Sequence, residues 1–153
     1  MSYWDTSALL KLFVMEPDSA VFRRHAADVA GRWSTAEWTR LELWSALRRK
    51  EAEGFLRPTE AKGLLADFDA GVNQGDWRTV PDSPRARVEF ERVVERVVEL
   101  CLSQSPPVFI RTLDALHLAT ALTAGETELV TTDQRLREAA LLLGLVIFPP
   151  PAP

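Results

Sequence analysis

The chain is poor in the residues that carry most side-chain chemistry: of its 153 residues one is cysteine, two are histidine and one is tyrosine. A single cysteine excludes an internal disulfide framework and a cysteine-built zinc site. Cys101 falls in "RVVELCLSQ" among valines and leucines at helical spacing, where it reads as a buried thiol rather than a nucleophile. A cytoplasmic home is the expectation that follows. Long apolar runs are missing too. The longest, "AALLLGLVIF" (Ala139 to Phe148), is far short of the roughly 20 residues that span a bilayer, and the N-terminus lacks the basic lead-in of a signal peptide, so no membrane association is expected. There is no excess of positive charge: 18 basic against 22 acidic residues leave a formal net charge of −4, which gives no bulk attraction to polyanions. The basic residues instead form small clusters (Arg23 and Arg24; Arg48, Arg49 and Lys50; Arg135 and Arg137) that read first as solvated helix faces. No glycine-rich turn follows any strand-like segment, which excludes dinucleotide binding.

What is present is apolar alternation. With 46% apolar residues the chain can bury one sizeable core without covalent staples. Short strand-like pieces ("SYW", "RWSTA", "DWRTV", "ELVTT", "LVIF") alternate with helical patterns ("SALLKLFV", Ser19 to Ala30, "EWTRLELWSALRRKEAEG", "PTEAKGLLADFDAG", "PRARVEFERVVERVVELCLS", "DALHLATALTAG", "DQRLREAALLLG"). Strands and helices in this order predict an α/β fold of three layers, α/β/α, around a central parallel sheet of about five short strands. One domain over residues 1–148 and a Pro-rich tail over 149–153 are expected. Sheets of this kind place their sites at the carboxyl ends of the strands. Asp5 stands at that end of the first strand and Asp133 at that end of the fourth.

Four acids stand out. Asp5, Asp114 and Asp133 each lie where a helix begins, so each could be an N-cap, a site residue, or both. Glu42 lies inside a helix, and its neighbours one turn away (Trp38, Thr39, Ser45 and Ala46) carry no charge, so it faces something outside its own helix. If the four converge, each pair about 4 Å apart costs on the order of 4 kcal/mol at an effective dielectric of about 20. Crowding of that kind predicts a raised carboxylate pKa or a bound divalent cation. An all-oxygen set suits Mg²⁺ or Mn²⁺ rather than Zn²⁺. His117, three residues after Asp114 in an apolar helix, reads as packed or hydrogen-bonded rather than a ligand.

These segments resemble the motifs of PIN-domain ribonucleases, and within them the VapC-type toxins of bacterial and archaeal toxin–antitoxin pairs. The first motif stands as "YWDTSALLKLFVMEP", the second as "TRLELWSALRR" with Glu42, the third as "RTLDALHLATAL" with Asp114 and the fourth as "ELVTTDQRLREAALLLGL" with Asp133. They come in the family's order and span essentially the whole chain. The resemblance implies a PIN-like fold and a metal-dependent endoribonuclease whose catalytic residues are Asp5, Glu42, Asp114 and Asp133. Asp5 and Asp114 would be direct Mg²⁺ (or Mn²⁺) ligands, and Glu42 and Asp133 further ligands, ligands of a second metal or holders of the metal's waters. Thr6, Ser7 and Thr132 would hydrogen-bond those carboxylates or a phosphate oxygen, backbone capping being the alternative for each. It also implies an RNA substrate, a cognate antitoxin and a homodimer, for which the apolar side chains of "ALLKLFV" and Trp33, Trp38 and Trp44 could supply surface. The stretch Asp76 to Ser83 and the ending "FPPPAP" match no motif. A phosphatase with an aspartyl nucleophile, as in haloacid dehalogenase-like enzymes, would want a second Asp where Ser7 stands. A non-catalytic PIN-like RNA- or protein-binding module, or a PIN nuclease that processes RNA outside a toxin–antitoxin pair, are the alternatives that share the fold.

Overall fold

A computed structural model describes residues 1–81 and 87–151. Its strands are short, the inner ones largely buried between helices on both faces and the two edge ones partly exposed. The chain runs β1 (Ser2–Trp4), α1 (Thr6–Phe13), α2 (Ser19–Asp28), β2 (Trp33–Ala36), α3 (Thr39–Ala52), α4 (Glu60–Gln74), β3 (Arg78–Val80), α5 (Arg87–Leu102), α6 (Thr112–Thr123), β4 (Glu128–Val130), α7 (Gln134–Leu142) and β5 (Val146–Phe148). All neighbouring strands pair in parallel, in the order β3-β2-β1-β4-β5, with Tyr3 opposite Leu129 and Trp4 opposite Val130. The direction of winding therefore reverses between β1 and β4. Outside the carboxyl ends of those two strands lies the crevice in which sheets of this class bind ligands.

Alternation along β1 divides the core. Tyr3 and Leu129 face one layer, where they meet Val97 and Cys101 of α5, Ala115, Leu118 and Ala121 of α6, and Leu136 of α7. Trp4 and Val130 face the other, against Ala8 and Leu9 of α1, Phe22 of α2, Leu43 and Leu47 of α3, and Phe68 of α4. Cys101 is wholly enclosed, and that burial raises its thiol pKa, which leaves it an inert packing group. Most of the tryptophan surplus is core: Trp33 is buried between Trp4 and a stacked Trp77, while Trp38 and Trp44 are partly buried against the two clusters. The large apolar side chains left exposed are others, among them Met15, Leu41, Phe55 and Phe109.

Some helix starts differ from the sequence expectation: α3 begins at Thr39 rather than Glu37, and the start read at Pro84 for α5 lies outside the described residues. The segment beginning "PTEAKG" becomes helical only at Glu60, after Thr59 adopts φ 73°, and the carboxylate of Glu51 from α3 takes the N–H groups of Thr59 and Ala61 in place of a local cap. The helix read from Asp114 starts two residues earlier, at Thr112. Among the described residues no helix is long and apolar enough to cross a membrane. The stretch Asp76 to Ser83 runs through β3 to Pro81, with its last two residues outside the described ones, as are the last two of the Pro-rich ending. Arg137 ties the start of that ending down by donating to the Pro149 carbonyl at 2.6 Å.

Gly71, inside α4, lies directly under the Trp77 indole, where a Cβ would fall 2.1 Å from a ring carbon. Alanine there gains about 1 kcal/mol of helix propensity but overpacks a closed aromatic layer, so Gly71→Ala is expected to destabilise the protein by about 1–3 kcal/mol in urea unfolding. An unchanged midpoint would show that the Trp77 ring yields freely.

Candidate active site

Each of the four acids reaches the crevice by a different local route. Asp5 follows β1 with extended backbone (φ −79°, ψ 171°) and caps α1: its Oδ1 accepts the Ala8 N–H at 2.9 Å and the Ser7 hydroxyl at 2.8 Å. Its Oδ2 accepts the Thr131 hydroxyl, which comes from the end of β4, at 2.8 Å. Asp5 is thus both a cap and a lining residue. Asp133 caps α7 in the same manner, with Oδ1 accepting the N–H groups of Arg135 and Leu136 at 2.9 and 3.2 Å. Asp114 is not the cap of α6 but its third residue, because the helix is entered at Thr112; its Oδ2 reaches back to the Arg111 N–H at 2.9 Å. Glu42, in the first turns of α3, is held from outside that helix. Its Oε2 accepts the Thr6 hydroxyl at 2.5 Å and stands 2.8 Å from Nε2 of His117.

All four line one cavity of about 560 Å³, together with Thr6, Ser7, Thr132, His117 and a rim of Lys11, Glu16, Arg49, Lys50 and Arg111. The hydroxyl that reaches the Asp5 carboxylate belongs to Thr131, not Thr132; Thr132 contributes its backbone N–H, donated to the Ser7 hydroxyl at 3.0 Å. Sequence reasoning also left aside two lining residues. One is Glu16, which holds Lys11 and Lys50 at 2.5 and 2.7 Å and whose pKa those lysines lower. The other is His117 as a partner of Glu42. A histidine one turn after Asp114 was a visible signal, but its pairing with a residue on another helix was not.

Protein bonds fall unevenly on the carboxylates. In Glu42, Asp114 and Asp133 they load one oxygen, and the other (Oε1, Oδ1 and Oδ2 respectively) accepts no bond among the described residues. No three acidic, histidine or cysteine side chains among the described residues are drawn together tightly enough to hold a metal ion by themselves. The arrangement is a ring of open oxygens around a cavity rather than a closed coordination shell. That fits a hard cation which keeps several of its waters, as Mg²⁺ does.

Burial sets the charge balance. Desolvation raises the pKa of Asp5, which is only 5% exposed, and is opposed by the nearby His117 and by bonds from Ala8, Thr131 and Ser7. A raised carboxylate is therefore present, but burial raises it and not the crowding of acids that the sequence led us to expect. Glu42 behaves oppositely. Partial burial pushes its pKa up, yet the contact with His117 and the bond from Thr6 outweigh it and leave the carboxyl below the usual range.

The PIN domain family matches residues 2–142 of the chain. Ribonuclease VapC35 of Mycobacterium tuberculosis (strain ATCC 25618 / H37Rv) is 34% identical over 155 residues, covering 98% of this chain and 97% of its own. Ribonuclease VapC46 of the same strain is 35% identical over 150 residues, covering 97% and 96%. Among solved structures, Mycobacterium tuberculosis VapC20, described as a sarcin-ricin loop cleaving toxin, superimposes with a TM-score of 0.63 at 16% identity over 91% of this chain and 95% of that one. VapBC2 of Rickettsia felis, solved with a fragment of promoter DNA, does so with a TM-score of 0.61 at 13% identity over 96% and 97%. At those identities the superpositions speak for the fold.

The raised pKa of Asp5 has a consequence for stability. A carboxyl whose folded pKa exceeds its unfolded value favours the fold fully below the unfolded pKa, and loses that contribution as pH rises through the folded one. Without divalent cation, Asp5→Asn is therefore expected to melt higher than the parent at pH 7, by about 2–4 °C for each kcal/mol relieved. Its advantage should shrink as pH falls through the Asp5 titration. Thermal melts from pH 4 to 8 in chelator check this; a variant less stable at pH 7 and unchanged toward acid would contradict it.

Proposed function

The chain belongs to the PIN-domain family, among its VapC ribonucleases, and from that membership and the geometry of the cavity we propose that it is a Mg²⁺-dependent endoribonuclease serving as the toxin of a toxin–antitoxin pair. The observation that carries the site assignment is the set of open oxygens: Glu42, Asp114 and Asp133 line one cavity, each fixed by its bonded oxygen and, among the described residues, unbonded at the other, next to a buried Asp5. Asp5 and Asp114 are the direct ligands in this reading, with Glu42 and Asp133 as further ligands or as acceptors for the cation's waters. A bound divalent cation supplies there a water of lowered pKa and neutralisation of the charge that builds on the phosphate.

The protein's own groups then have defined tasks. Ser7 and Thr131 fix Asp5, and Thr6 fixes Glu42, so neither carboxylate has to reorganise when substrate arrives. No side-chain nucleophile is needed: the Ser7 hydroxyl is engaged with Asp5, and both ring nitrogens of His117 are occupied, by Tyr3 and Glu42. Arg49 and Arg111 on the rim are placed to meet the phosphates of an RNA strand lying across the opening, which lets a protein of net negative charge bind a polyanion locally. The same acidic cavity suits an inhibitory arginine from an antitoxin, which would pair with the carboxylates and compete with the cation for them. Self-association into a dimer is part of this reading, with the exposed apolar residues as its candidate surface.

Incubation of a mixed RNA pool with the purified chain should give cleavage with Mg²⁺ or Mn²⁺ and none with chelator. Asp5→Asn, which still caps α1, should cut more slowly by roughly a hundredfold or more while remaining folded. Cleavage by Asp5→Asn at the parent rate would reduce Asp5 to a cap. Co-expression with a protein encoded beside it should yield a complex in which cleavage is suppressed. High expression of the active chain alone without harm to the host would contradict the toxin role and leave the nuclease role standing.

A further inference from the structure

The Glu42 carboxylate is held by a buried relay whose members, Tyr3 and His117, come from segments far from Glu42 in sequence. His117 is one turn beyond Asp114 on α6, and the apolar residues around it bury the ring to 4% exposure. Tyr3 is wholly buried on the sheet face that packs against α6, two residues before Asp5. Its hydroxyl lies 2.7 Å from Nδ1 of His117, and Nε2 on the far side of the ring lies 2.8 Å from Oε2 of Glu42. Trp38 packs on the same imidazole with ring centroids 6.1 Å apart, so the ring is confined from several sides.

The donors and acceptors order themselves along this line. An ionised carboxylate only accepts, so Nε2 carries the proton that Glu42 receives; the neutral ring then presents Nδ1 as an acceptor for the Tyr3 hydroxyl. The relay spans the molecule, from the central strand through the helix that carries Asp114 to the helix that carries Glu42, which belongs to the opposite layer. Thr6 donates to the same Oε2. Two donors on one oxygen fix the carboxylate and leave Oε1 to the cavity.

We propose that Tyr3 and His117 are positioning residues for the cation site: by donating through Nε2 to Oε2, His117 holds Glu42 with Oε1 open, and Tyr3 holds His117 in the tautomer that can do so. This role rests on the reading of the cavity as a cation-dependent nuclease site. Histidines that ligate metals are oriented by such outer partners, and here the same device orients a carboxylate.

The test is direct Mn²⁺ binding by calorimetry to the parent, Tyr3→Phe, His117→Gln and His117→Ala, alongside kcat and KM for RNA cleavage and a thermal melt of each. His117→Ala is expected to weaken Mn²⁺ binding by about 10–100-fold. His117→Gln, which keeps an N–H donor, should recover much of that, and Tyr3→Phe should lose about three- to tenfold, the worth of one hydrogen bond. In each case kcat should fall with the KM for RNA nearly unchanged. Tyr3→Phe removes a single buried oxygen and keeps the ring, so it decides the matter even if His117→Ala does not fold. Nitrogen NMR of the parent should show Nε2 protonated and Nδ1 not; the reverse tautomer overturns the proposal. Parent-like Mn²⁺ affinity and kcat in both Tyr3→Phe and His117→Gln, with only the melting temperature lowered, would make the relay purely structural and overturn it alone. A parent that binds no Mn²⁺ would overturn the nuclease reading, and this proposal with it.

Discussion

A carboxylate can stay at the buried end of a central strand only if donors surround it, and Asp5 meets that demand from two directions. Ser7 and the Ala8 N–H come from the helix that Asp5 itself begins; Thr131 comes from the end of β4. The second source exists because β4 lies beside β1, and that adjacency is the point at which the winding of the sheet reverses. One short hydrogen bond between residues 126 positions apart thus links the local capping of a helix to the topology of the whole sheet. It also fixes where the crevice opens, since Asp133 stands two residues after Thr131 and is carried to the same cavity.

The other two acids are brought in by the helical layers. Asp114 arrives on α6, packed against the Tyr3 face of the sheet, and Glu42 arrives on α3, packed against the Trp4 face. The two layers meet at this end of the molecule where Glu42 bonds to His117, while the bond from Thr6 to Glu42 lies within the layer of α1 and α3. Electrostatics follows from the two routes. Asp5, enclosed, has its pKa raised by burial, whereas Glu42, half open to solvent, has its own lowered by the His117 contact. Carboxylates in one cavity with pKa values displaced in opposite directions are what acid–base and metal-dependent sites are built from.

Much of this was legible beforehand, for identifiable reasons. The parallel sheet was readable because apolar strands recur between amphipathic helices, and the cavity because Asp5 and Asp133 fall immediately after strands. Glu42 was singled out by what it lacked, a charged partner on its own helix. The misreadings are of a different kind. The Asp5 carboxylate takes the hydroxyl of Thr131, one residue before the Thr132 singled out from the sequence, while Thr132 lines the cavity. Placing Asp114 at the cap rather than one turn into α6 reflects a helix entered through Thr112 and Leu113, which carry no strong start signal. The relay from Tyr3 through His117 to Glu42 joins three segments that only the folded chain brings together, and no local pattern announces it. Of the tryptophans the sequence offered to either core or partner, Trp33 is core, lying between Trp4 and Trp77, while Trp38 and Trp44 are partly buried.

The central claim is that the four carboxylates act together on one divalent cation site. Anomalous diffraction from crystals soaked in Mn²⁺ addresses it without reference to activity. The account predicts a peak inside the cavity bounded by Asp5, Glu42, Asp114 and Asp133, with at least two of these carboxylates as direct ligands at roughly 2.0–2.6 Å and the others reached through ordered water. A cavity empty of Mn²⁺ at saturating concentration, or occupancy only at surface acids elsewhere, would contradict it.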